Sequence, residues 1–316
     1  MRTFTRIAIT GARGFVGTHL QAELKSVYPD AELFLLSGGQ APGCITADVR
    51  DFKAFDTAIS EIKPDLLVHL AAESSVLSHV ARTWEVNAGG AIVVAESVKK
   101  HCPTATVLNV SSSEVYGGSF KSGRVTEATP TMPLNVYGRT KIAAEQIFSD
   151  ILNIDNCLIN VRPFNHTGPG QDERFAVPSF AAQIARIEAG NVPHVLRVGN
   201  LDSFRDFLDV RDVVRAYTTL LRFSDTLPSR NLFNVCSGRS VSIRHVLNIL
   251  LAHAHVEIAV EHDSERSRPS GIAVAEGECA LLEAATGWSP EISLDETLRD
   301  VLHEFRQAVR GNTHPH

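Results

Sequence analysis

Two short motifs near the middle of the chain carry side chains that could together move a proton onto an oxygen atom. Three serines at positions 111–113 follow the apolar run 105–110, and Tyr137 and Lys141 lie farther along the chain. On a helix these two side chains share one face, where we expect the ammonium to lower the phenol pKa from its usual value of about 10. A serine hydroxyl beside the phenol could hold a carbonyl or alcohol oxygen while a hydride moves at the attached carbon. The two motifs therefore predict a hydride-transfer site.

Each motif also has an ordinary structural explanation. Serines that follow a strand commonly form turns or caps, and the Tyr-x-x-x-Lys spacing occurs by chance in many helices. The surrounding elements favour chemistry. The run 105–110 predicts a buried parallel strand, which places the serines at the carboxyl edge of a sheet, where open α/β sheets bind their ligands. We predict that a helix over residues 135–152 carries Tyr137 and Lys141.

The composition narrows the class of protein. The 316 residues are 44% hydrophobic and 21% charged, which is typical of a globular chain. A net charge of -6 without any basic run gives no support for nucleic-acid binding. The longest apolar runs are strand-sized, so we expect neither a signal peptide nor a membrane span. Five scattered cysteines without a CxxC pair predict reduced thiols in the cytoplasm and no metal site.

The beginning of the chain has the pattern of a dinucleotide-binding turn. An apolar strand at 6–9 runs into Thr-Gly-Ala-Arg-Gly-Phe-Val-Gly at 10–17, and residues 18–27 have helical composition. Gly11 permits a tight turn, Gly14 lets backbone N–H groups approach a pyrophosphate, and Gly17 lets the helix and the strand pack closely. Because the glycines lie between a strand and a helix, the pattern predicts a dinucleotide site.

The second strand, at 32–36, bears on which dinucleotide binds. NAD-binding turns usually place an acid near the end of this strand, and Ser37 followed by two glycines stands there instead. Arg13 could meet a 2′-phosphate with charge-assisted hydrogen bonds, or it could point into solvent. We therefore expect NADP(H) to be preferred, with NAD(H) as the alternative. Asp48 either holds the adenine edge or caps the next helix.

Alternating strands and helices up to residue 162 predict an α/β fold of the Rossmann type, with a doubly wound parallel sheet. The predicted elements are helix 51–62, strand 65–72, a long helix 84–100, strand 105–110, helix 135–152 and strand 157–162. His69 lies inside an apolar strand, which predicts a packed, hydrogen-bonded histidine. The polar segment 117–134 is long enough for a substrate-facing lid.

Beyond residue 162 the alternation loosens, and we predict a smaller α/β substrate-binding domain. We assign 1–162 and returning segments near 205–236 to the dinucleotide domain, 163–204 and 237–310 to the second domain, and 311–316 to a disordered tail. Arg205 and Arg268 are placed in polar loops, where an anionic ligand could reach them. Each could equally form a surface ion pair.

These motifs, in this order, resemble the extended short-chain dehydrogenase/reductases that act on nucleotide sugars. The resemblance rests on TGxxGFxG, HLAA, SSSEVYG, YGxxK, RPFNHTGPGQ and VGNLDxxRDFxDVRDVV, which cover nearly the whole chain. Within that family, RPFNHTGPGQ, GNLD and RDFxDVRD, closed by RP and TGW, are most similar to the reductases of GDP-linked 4-keto-6-deoxymannose. The resemblance implies reduction of the C4 keto group of a GDP-4-keto-6-deoxyhexose, with GDP-D-rhamnose as the expected product.

The resemblance also implies residue roles. The catalytic residues would be Ser112, Tyr137 and Lys141. The cofactor cleft would also contain Gly11, Arg13, Gly14, Phe15, Val16, Gly17, Ser37, Asp48, Val49, Leu70, Ala71, Ala72, Asn87 and His166. The substrate contacts would be Ser113, Glu114, Asn165, Val177, Gln183, Arg205 and Arg268. Such enzymes typically form homodimers through a four-helix bundle that includes the Tyr-x-x-x-Lys helix.

One departure from the family and two rival functions remain at this point. The family usually has an acid three residues after Arg268, and Gly271 stands there, which puts recognition of guanosine in question. An epimerase or 4,6-dehydratase of the same fold would keep its cofactor bound and regenerate it in each turnover. A non-enzymatic NAD(P)-sensing protein is the alternative of another class, but we would expect a broken triad in it.

Overall fold

The computed structural model of the chain describes residues 2–74, 79–266 and 271–311. Its strands are β1 (Arg6–Thr10), β2 (Glu32–Ser37), β3 (Ile45–Thr46), β4 (Leu66–His69), β5 (Thr106–Val110), β6 (Cys157–Pro163), β7 (Asn165–Thr167), β8 (Val195–Val198), β9 (Phe204–Asp209), β10 (Arg230–Val235), β11 (Ser240–Ser242), β12 (Ala259–His262) and β13 (Val274–Ala275). Its α-helices are α1 (Phe15–Val27), α2 (Phe52–Ile62), α3 (Val80–Trp84), α4 (Gly90–His101), α5 (Val136–Ile151), α6 (Ala176–Glu188), α7 (Val210–Arg222), α8 (Ile243–Ala252), α9 (Ala280–Thr286) and α10 (Leu294–Gly311).

Seven parallel strands form the central sheet in the order β10-β6-β5-β4-β1-β2-β3. The predicted Rossmann-type fold is therefore confirmed, with the strand order reversing beside β1. Thr10 pairs with His69, and His69 pairs with Asn109, so the carboxyl ends of β1, β4 and β5 are level. The glycine turn and the three serines consequently open onto the same edge of the sheet.

Both faces of the sheet are covered by helices. On one face α1 and α7 bury Leu20, Leu24 and Tyr217 against the strands. On the other face α2, α4 and α5 bury side chains such as Phe55 and Phe148. Strands buried on both sides explain the continuous apolar runs in the sequence, because helices exclude water from each face. This double cover gives the edge that carries the site a rigid support.

The second part of the chain contains strands that the sequence patterns did not indicate. Arg205 was expected in a polar loop, but it lies in β9, and β8 ends shortly before it at Val198. β9 lies between β11 and β13 and also pairs with β7, while β8 pairs with β12. α6, α8 and α10 pack together in a separate apolar core. The proposed division of the chain into two domains stays a prediction.

Two segments differ from their predicted structure. The helix expected at 84–100 is interrupted by the π-helical turn Glu85–Gly89, which joins α3 to α4. The expected lid at 117–134 begins with a 3-10 helix, Gly117–Ser122, that is anchored rather than free. Phe120 and Val125 are buried in a cluster with Tyr116, and Val125 bridges to Gly277. Burial of these apolar side chains fixes the segment against the core.

Within the described ranges, no helix has both the length and the apolar character needed to cross a bilayer. The same residues contain no group of three or more His, Cys, Asp or Glu side chains that could hold a metal ion.

Candidate active site

The serine motif forms the turn that follows β5. The backbone N–H of Ser111 donates to the carbonyl of Val161 at 2.8 Å, which continues the pairing of β5 with β6 by one residue. Ser112 then adopts an extended conformation, and its Oγ accepts a hydrogen bond from the Glu114 N–H at 3.2 Å. This hydrogen bond caps the 3-10 turn Ser113–Val115 and fixes the hydroxyl of Ser112 at the carboxyl edge of the sheet.

The helix α5 is held directly against this turn. Asn135 caps α5, since its Oδ1 accepts from the Gly138 N–H at 2.8 Å, while its Nδ2 donates to Glu114 at 2.8 Å. A Cβ atom on Gly138 would lie 2.6 Å from the Glu114 carbonyl oxygen. Only glycine permits such an approach, so Gly138 is what lets the first turn of α5 contact the serine motif.

The three predicted catalytic side chains meet at this contact. The Ser112 side chain is close enough to the Tyr137 hydroxyl to lower its pKa. Lys141 lies one turn later on α5, and its Nζ donates to the Val110 carbonyl at 2.7 Å and lies 5.8 Å from the centre of the Tyr137 ring. The helical spacing thus gives the expected shared face, and the strand end supplies the third group.

The proton affinities of Tyr137 and Lys141 differ from the expectation. Burial raises the pKa of Tyr137 to about 12; the hydrogen bond with Ser112 lowers it, and the charge of Glu114 raises it. Burial lowers the pKa of Lys141 to about 8, while the charge of Glu145 acts in the opposite direction. The expected lowering of the tyrosine pKa is therefore wrong in this structure. The reason is that the cost of burying a phenolate outweighs the lowering by Ser112, while the Lys141 ammonium donates to a backbone carbonyl.

A buried charge network behind the triad was missed by sequence reasoning. Glu145, one further turn along α5, accepts hydrogen bonds from Ser111 and from Arg162, whose Nε and Nη2 lie 2.9 and 2.7 Å from the two carboxylate oxygens. Burial lowers the pKa of Arg162, but the hydrogen bonds and charge of Glu145 outweigh it and raise the pKa overall. The available signal was the spacing of Tyr137, Lys141 and Glu145, which puts all three on one helical face.

The glycine turn has the geometry that a dinucleotide needs. Gly11 has a φ of +67°, and a Cβ there would lie 2.8 Å from the Ala71 N–H nitrogen, so the turns after β1 and β4 pass unusually close. A Cβ on Gly17 would lie 2.5 Å from the Ala12 carbonyl oxygen, which confirms close packing of α1 on the turn. Gly14 is the N-cap of α1 and supplies no side-chain hydrogen bond to the helix. The first N–H groups of α1 are therefore left for a pyrophosphate.

The neighbouring cofactor candidates extend this cleft. The Phe15 ring stacks on His166, with centroids 6.1 Å apart, and links α1 to β7. His166 Nδ1 contacts the Phe164 carbonyl at 2.9 Å, and burial lowers the His166 pKa. Val16 packs on the core cluster beneath α1. His166 is therefore held in a fixed orientation at the boundary between the two parts of the chain.

Asp48, predicted either to hold the adenine edge or to cap the next helix, does not cap α2. Arg50 donates to both oxygens of Asp48, with the shortest contact at 2.7 Å, and this pairing lowers the Asp48 pKa. Asp51, rather than Asp48, caps α2 by accepting from the Ala54 N–H. Arg13 is exposed in the glycine turn, and Ser37 ends β2.

The residues after β4 complete the cleft. The amide of Asn87, which lies in the π-helical turn, binds the backbone of Glu73 through both its oxygen and its nitrogen and also donates to Thr140 at 2.9 Å. Asn87 thus links Glu73 to α5. Leu70, Ala71 and Ala72 lie between β4 and Glu73. Val49 packs against Gly90 at the start of α4. His69 is buried with its Nδ1 2.9 Å from Thr10 Oγ1, which agrees with the prediction of a packed histidine.

Some of the predicted substrate residues face the triad. Ser113 is buried beside Glu114, and the charge of Glu114 acts on both Tyr137 and Arg205. Arg205 was expected in a loop, but it lies in β9, where its guanidinium donates to the carbonyls of residues 204 and 272. Asn165 is exposed on β7, the strand that pairs with β9. The pairing of β7 and β9 therefore brings two separate motifs to one surface.

Two other predicted substrate residues, Val177 and Gln183, have structural partners in the second part of the chain. Val177 is buried in the core of the second part, and the amide of Gln183 bonds to the backbone of Arg197 in β8. Arg268 lies outside the described residues. Gly271 is exposed, and a Cβ there would lie 3.2 Å from the Leu134 side chain.

Comparisons with known proteins agree with this geometry. The family model described as GDP-mannose 4,6 dehydratase matches residues 39–301. GDP-6-deoxy-D-mannose reductase of Pseudomonas aeruginosa is 34% identical over 310 residues, which cover 96% of this chain and 98% of that protein. A solved structure of RMD from Pseudomonas aeruginosa complexed with NADPH is 32% identical with a TM-score of 0.80, and the match covers 96% of this chain and 100% of that chain.

A second solved structure broadens the comparison. A putative epimerase from Burkholderia cenocepacia is 31% identical with a TM-score of 0.83, and the match covers 97% of this chain and 100% of that chain. The matches span both the cofactor cleft and the second part of the chain. The chain is therefore an NAD(P)-dependent oxidoreductase that belongs to the GDP-mannose 4,6 dehydratase family, within the extended short-chain dehydrogenase/reductases.

Proposed function

We propose that the protein uses NADPH to reduce the C4 keto group of a GDP-linked 4-keto-6-deoxyhexose, with GDP-D-rhamnose as the favoured product. The observation that carries the proposal is that Tyr137 and Lys141 of α5 meet the turn of Ser112, at the edge of the sheet shared with the glycine turn. The relative with 34% identity over 96% of the chain is a GDP-6-deoxy-D-mannose reductase, which supports the choice of substrate.

The residues at the carboxyl edge fit a nicotinamide dinucleotide. Gly11 and Gly17 keep the turn free of side chains where the backbone segments come together, and Gly14 exposes the start of α1. The pyrophosphate would accept hydrogen bonds from the first N–H groups of α1. Lys141, one turn from Tyr137, would grip the nicotinamide ribose. When bound, the reduced cofactor supplies the hydride.

The triad completes the reduction with one proton. As the hydride reaches C4, the C4–O double bond becomes a single bond, and its oxygen takes the hydroxyl proton of Tyr137. Ser112 would donate a hydrogen bond to the same oxygen and hold it in place. Because the Tyr137 pKa is raised to about 12, the phenol carries its proton throughout the neutral range. The charged Lys141 would stabilise the negative charge that develops on the phenol oxygen.

The nucleotide sugar would lie between the triad and β9. Glu114 and Ser113 follow Ser112 directly and would face the hexose, while Asn165 and Arg205 would contact the diphosphate side. Burial lowers the pKa of Arg205, and Glu114 raises it, so the guanidinium lies within electrostatic range of the triad's entrance. A guanidinium offers paired donors to phosphate oxygens, which suits a diphosphate.

The preference for NADP(H) rests on the end of β2 and on the glycine turn. Ser37 leaves no carboxylate there to repel a 2′-phosphate, and the carboxylate of Asp48 is neutralised by Arg50. Arg13 is exposed in the turn, from which it could fold over the adenosine ribose. The solved structure of RMD contains NADPH, which supports the preference.

The experiment that tests the function is a reduction assay with purified protein, GDP-4-keto-6-deoxymannose and NADPH. We expect loss of NADPH absorbance and a product whose C4 configuration NMR identifies as rhamnose or talose type. No turnover with this sugar would overturn the proposal.

An epimerase or 4,6-dehydratase is the second candidate, favoured by the description of the family model and by the putative epimerase among the structural matches. Such an enzyme would carry tightly held oxidised cofactor and would turn over without added NADPH. Release of NADP⁺ or NAD⁺ from denatured protein, combined with turnover in its absence from the buffer, would favour this candidate. We expect neither result.

We also propose a cytoplasmic homodimer that forms through α4 and α5. Trp84 and Ile92 expose 40% and 46% of their surface along α3 and α4, and Ala143 and Ile147 are half-buried on α5. A second copy would cover this apolar strip. Replacing Ile92 by Glu should convert a dimer to a monomer in sedimentation analysis, whereas the matched change at Ile154, which is 74% exposed and outside these helices, should not.

A further inference from the structure

A buried carboxylate behind the triad takes no direct part in the reduction. Glu145 is 4% exposed on α5, one turn after Lys141. It accepts a hydrogen bond from the Ser111 hydroxyl and two from the guanidinium of Arg162, which is also 4% exposed. A buried ion pair costs desolvation that is only partly recovered, so its presence beside the active lysine calls for an explanation in terms of function.

The contacts of Glu145 lie at the point where β5 becomes the catalytic turn. Lys141 Nζ donates to the carbonyl of Val110 at 2.7 Å, and Glu145 holds the side chain of the next residue, Ser111. The Ser111 N–H donates to Val161 at 2.8 Å. Val110 and Ser111 are thus fixed by Lys141 and Glu145, which lie on successive turns of α5. Because Ser112 is the next residue, its position depends on both of these hydrogen bonds.

Glu145 also acts on the charge of Lys141. The ionisable groups around the lysine come from several elements: His69 of β4, Tyr137 and Glu145 of α5, Arg162 of β6, which is paired with Glu145, and Tyr217 of α7, which faces Tyr137. His69 is neutral because burial lowers its pKa to about 3. Burial lowers the pKa of Lys141 to about 8, and the charge of Glu145 opposes this effect. Glu145 therefore favours the charged lysine.

We propose that Glu145 is a positioning residue that keeps Lys141 charged and, through Ser111, holds Ser112 in place for hydride transfer. This inference rests on the proposed function, in which Lys141 must be protonated when the substrate oxygen takes the proton of Tyr137. The carboxylate acts through other residues and touches neither the sugar nor the cofactor.

The test compares the pH dependence of kcat/KM in the wild type and in Glu145→Gln. The wild type should lose activity as the pH rises through about 8, where Lys141 loses its proton. Without the carboxylate the lysine loses its proton at lower pH. The variant should therefore be close to the wild type at low pH and, on the alkaline side, fall below it tenfold for each unit by which the Lys141 pKa decreases. Asp150→Asn, an exposed carboxylate on the same helix, should leave the profile unchanged.

A second variant covers the case in which Glu145→Gln fails to fold because Arg162 is left unpaired. The double variant Glu145→Leu, Arg162→Met removes both charges, and the pH above which its kcat/KM falls should still be lower than in the wild type. Ser111→Ala keeps the carboxylate but removes the hydrogen bond from Ser111 to Glu145. It should lower kcat without changing the pH above which kcat/KM falls. Variants that lose thermal stability while keeping the wild-type pH profile would show a merely structural role and overturn the proposal.

A separate readout distinguishes this proposal from the proposed function. NADPH binding, titrated by fluorescence across the same pH range, needs no sugar. If the wild type fails to reduce the GDP sugar, the function is wrong, and the role of Glu145 is still decided by this titration. The role is supported if NADPH binding weakens at a lower pH in Glu145→Gln or in the double variant than in the wild type. It is refuted if binding weakens at the same pH in all of them.

Discussion

Replacing Tyr137 by Phe is the most direct test of the proposed chemistry, because it removes one hydroxyl and little else. The ring is half-buried on α5, and its aromatic body would stay in place. Ser112 Oγ would still accept from the Glu114 N–H at 3.2 Å. Lys141 would keep its bond to the Val110 carbonyl. The substitution should therefore leave the fold and the binding of NADPH nearly intact.

The expected loss of rate follows from the role of the phenol. A positioned general acid contributes roughly 10²- to 10⁴-fold, which corresponds to about 3 to 5 kcal/mol of transition-state stabilisation. The Ser112 hydroxyl cannot replace Tyr137, because it is a far weaker proton donor to an alkoxide. We therefore expect kcat to fall toward the upper end of that range, with KM for the GDP sugar changed only slightly.

The assay is single-turnover reduction with excess enzyme, which reports the chemical step rather than product release. Tyr28→Phe is the matched control: its buried hydroxyl has no hydrogen-bond partner among the described residues, and its ring packs on Phe4 outside the cleft. The control should retain wild-type rates. Near-normal turnover by Tyr137→Phe would refute the assignment of this residue as the acid.

Three further predictions follow from the same site. Ser112→Ala should lower kcat by about a hundredfold, less than loss of the phenol, because other donors partly hold the oxygen, and steady-state kinetics would show it; an unchanged kcat would remove Ser112 from the mechanism. Arg205→Ala should weaken binding of the nucleotide sugar about tenfold or more while sparing NADPH, with Arg205→Lys intermediate; unchanged calorimetric affinity in both would contradict the diphosphate contact. Arg13→Ala should weaken NADPH about tenfold and leave NADH almost unaffected; equal weakening of both cofactors, or a wild-type preference for NADH, would show that Arg13 does not recognise the phosphate.

The triad could be predicted from sequence because its geometry is local. Helical spacing alone puts Tyr137 and Lys141 on one face, and an apolar run followed by serines places Ser112 at the end of a buried strand. The contact between α5 and the serine turn could not be predicted in the same way. It depends on Gly138, whose role is evident only from its distance to the Glu114 carbonyl in the structure.

The second part of the chain was predicted less well because its polar strand residues are satisfied by distant segments. Asp206 is fully buried in β9, where its carboxylate accepts from the N–H groups of Ser237 and Gly238. A charged residue of this kind indicates a loop when only neighbours in sequence are considered. Burial becomes acceptable once partners some thirty residues away supply the hydrogen bonds.

The raised pKa of Tyr137 sets what the rest of the site must supply. Burial favours the neutral phenol well above neutral pH, which is the form that donates a proton in a reduction. Once it has donated, Tyr137 is a phenolate in the same buried site, and an epimerase or 4,6-dehydratase would begin hydride removal from that same phenolate. The charged Lys141, whose Nζ lies 5.8 Å from the centre of the Tyr137 ring, would stabilise it in either direction. The pKa of Tyr137 is therefore common to both functions, and retention of oxidised cofactor by the purified protein is what separates them.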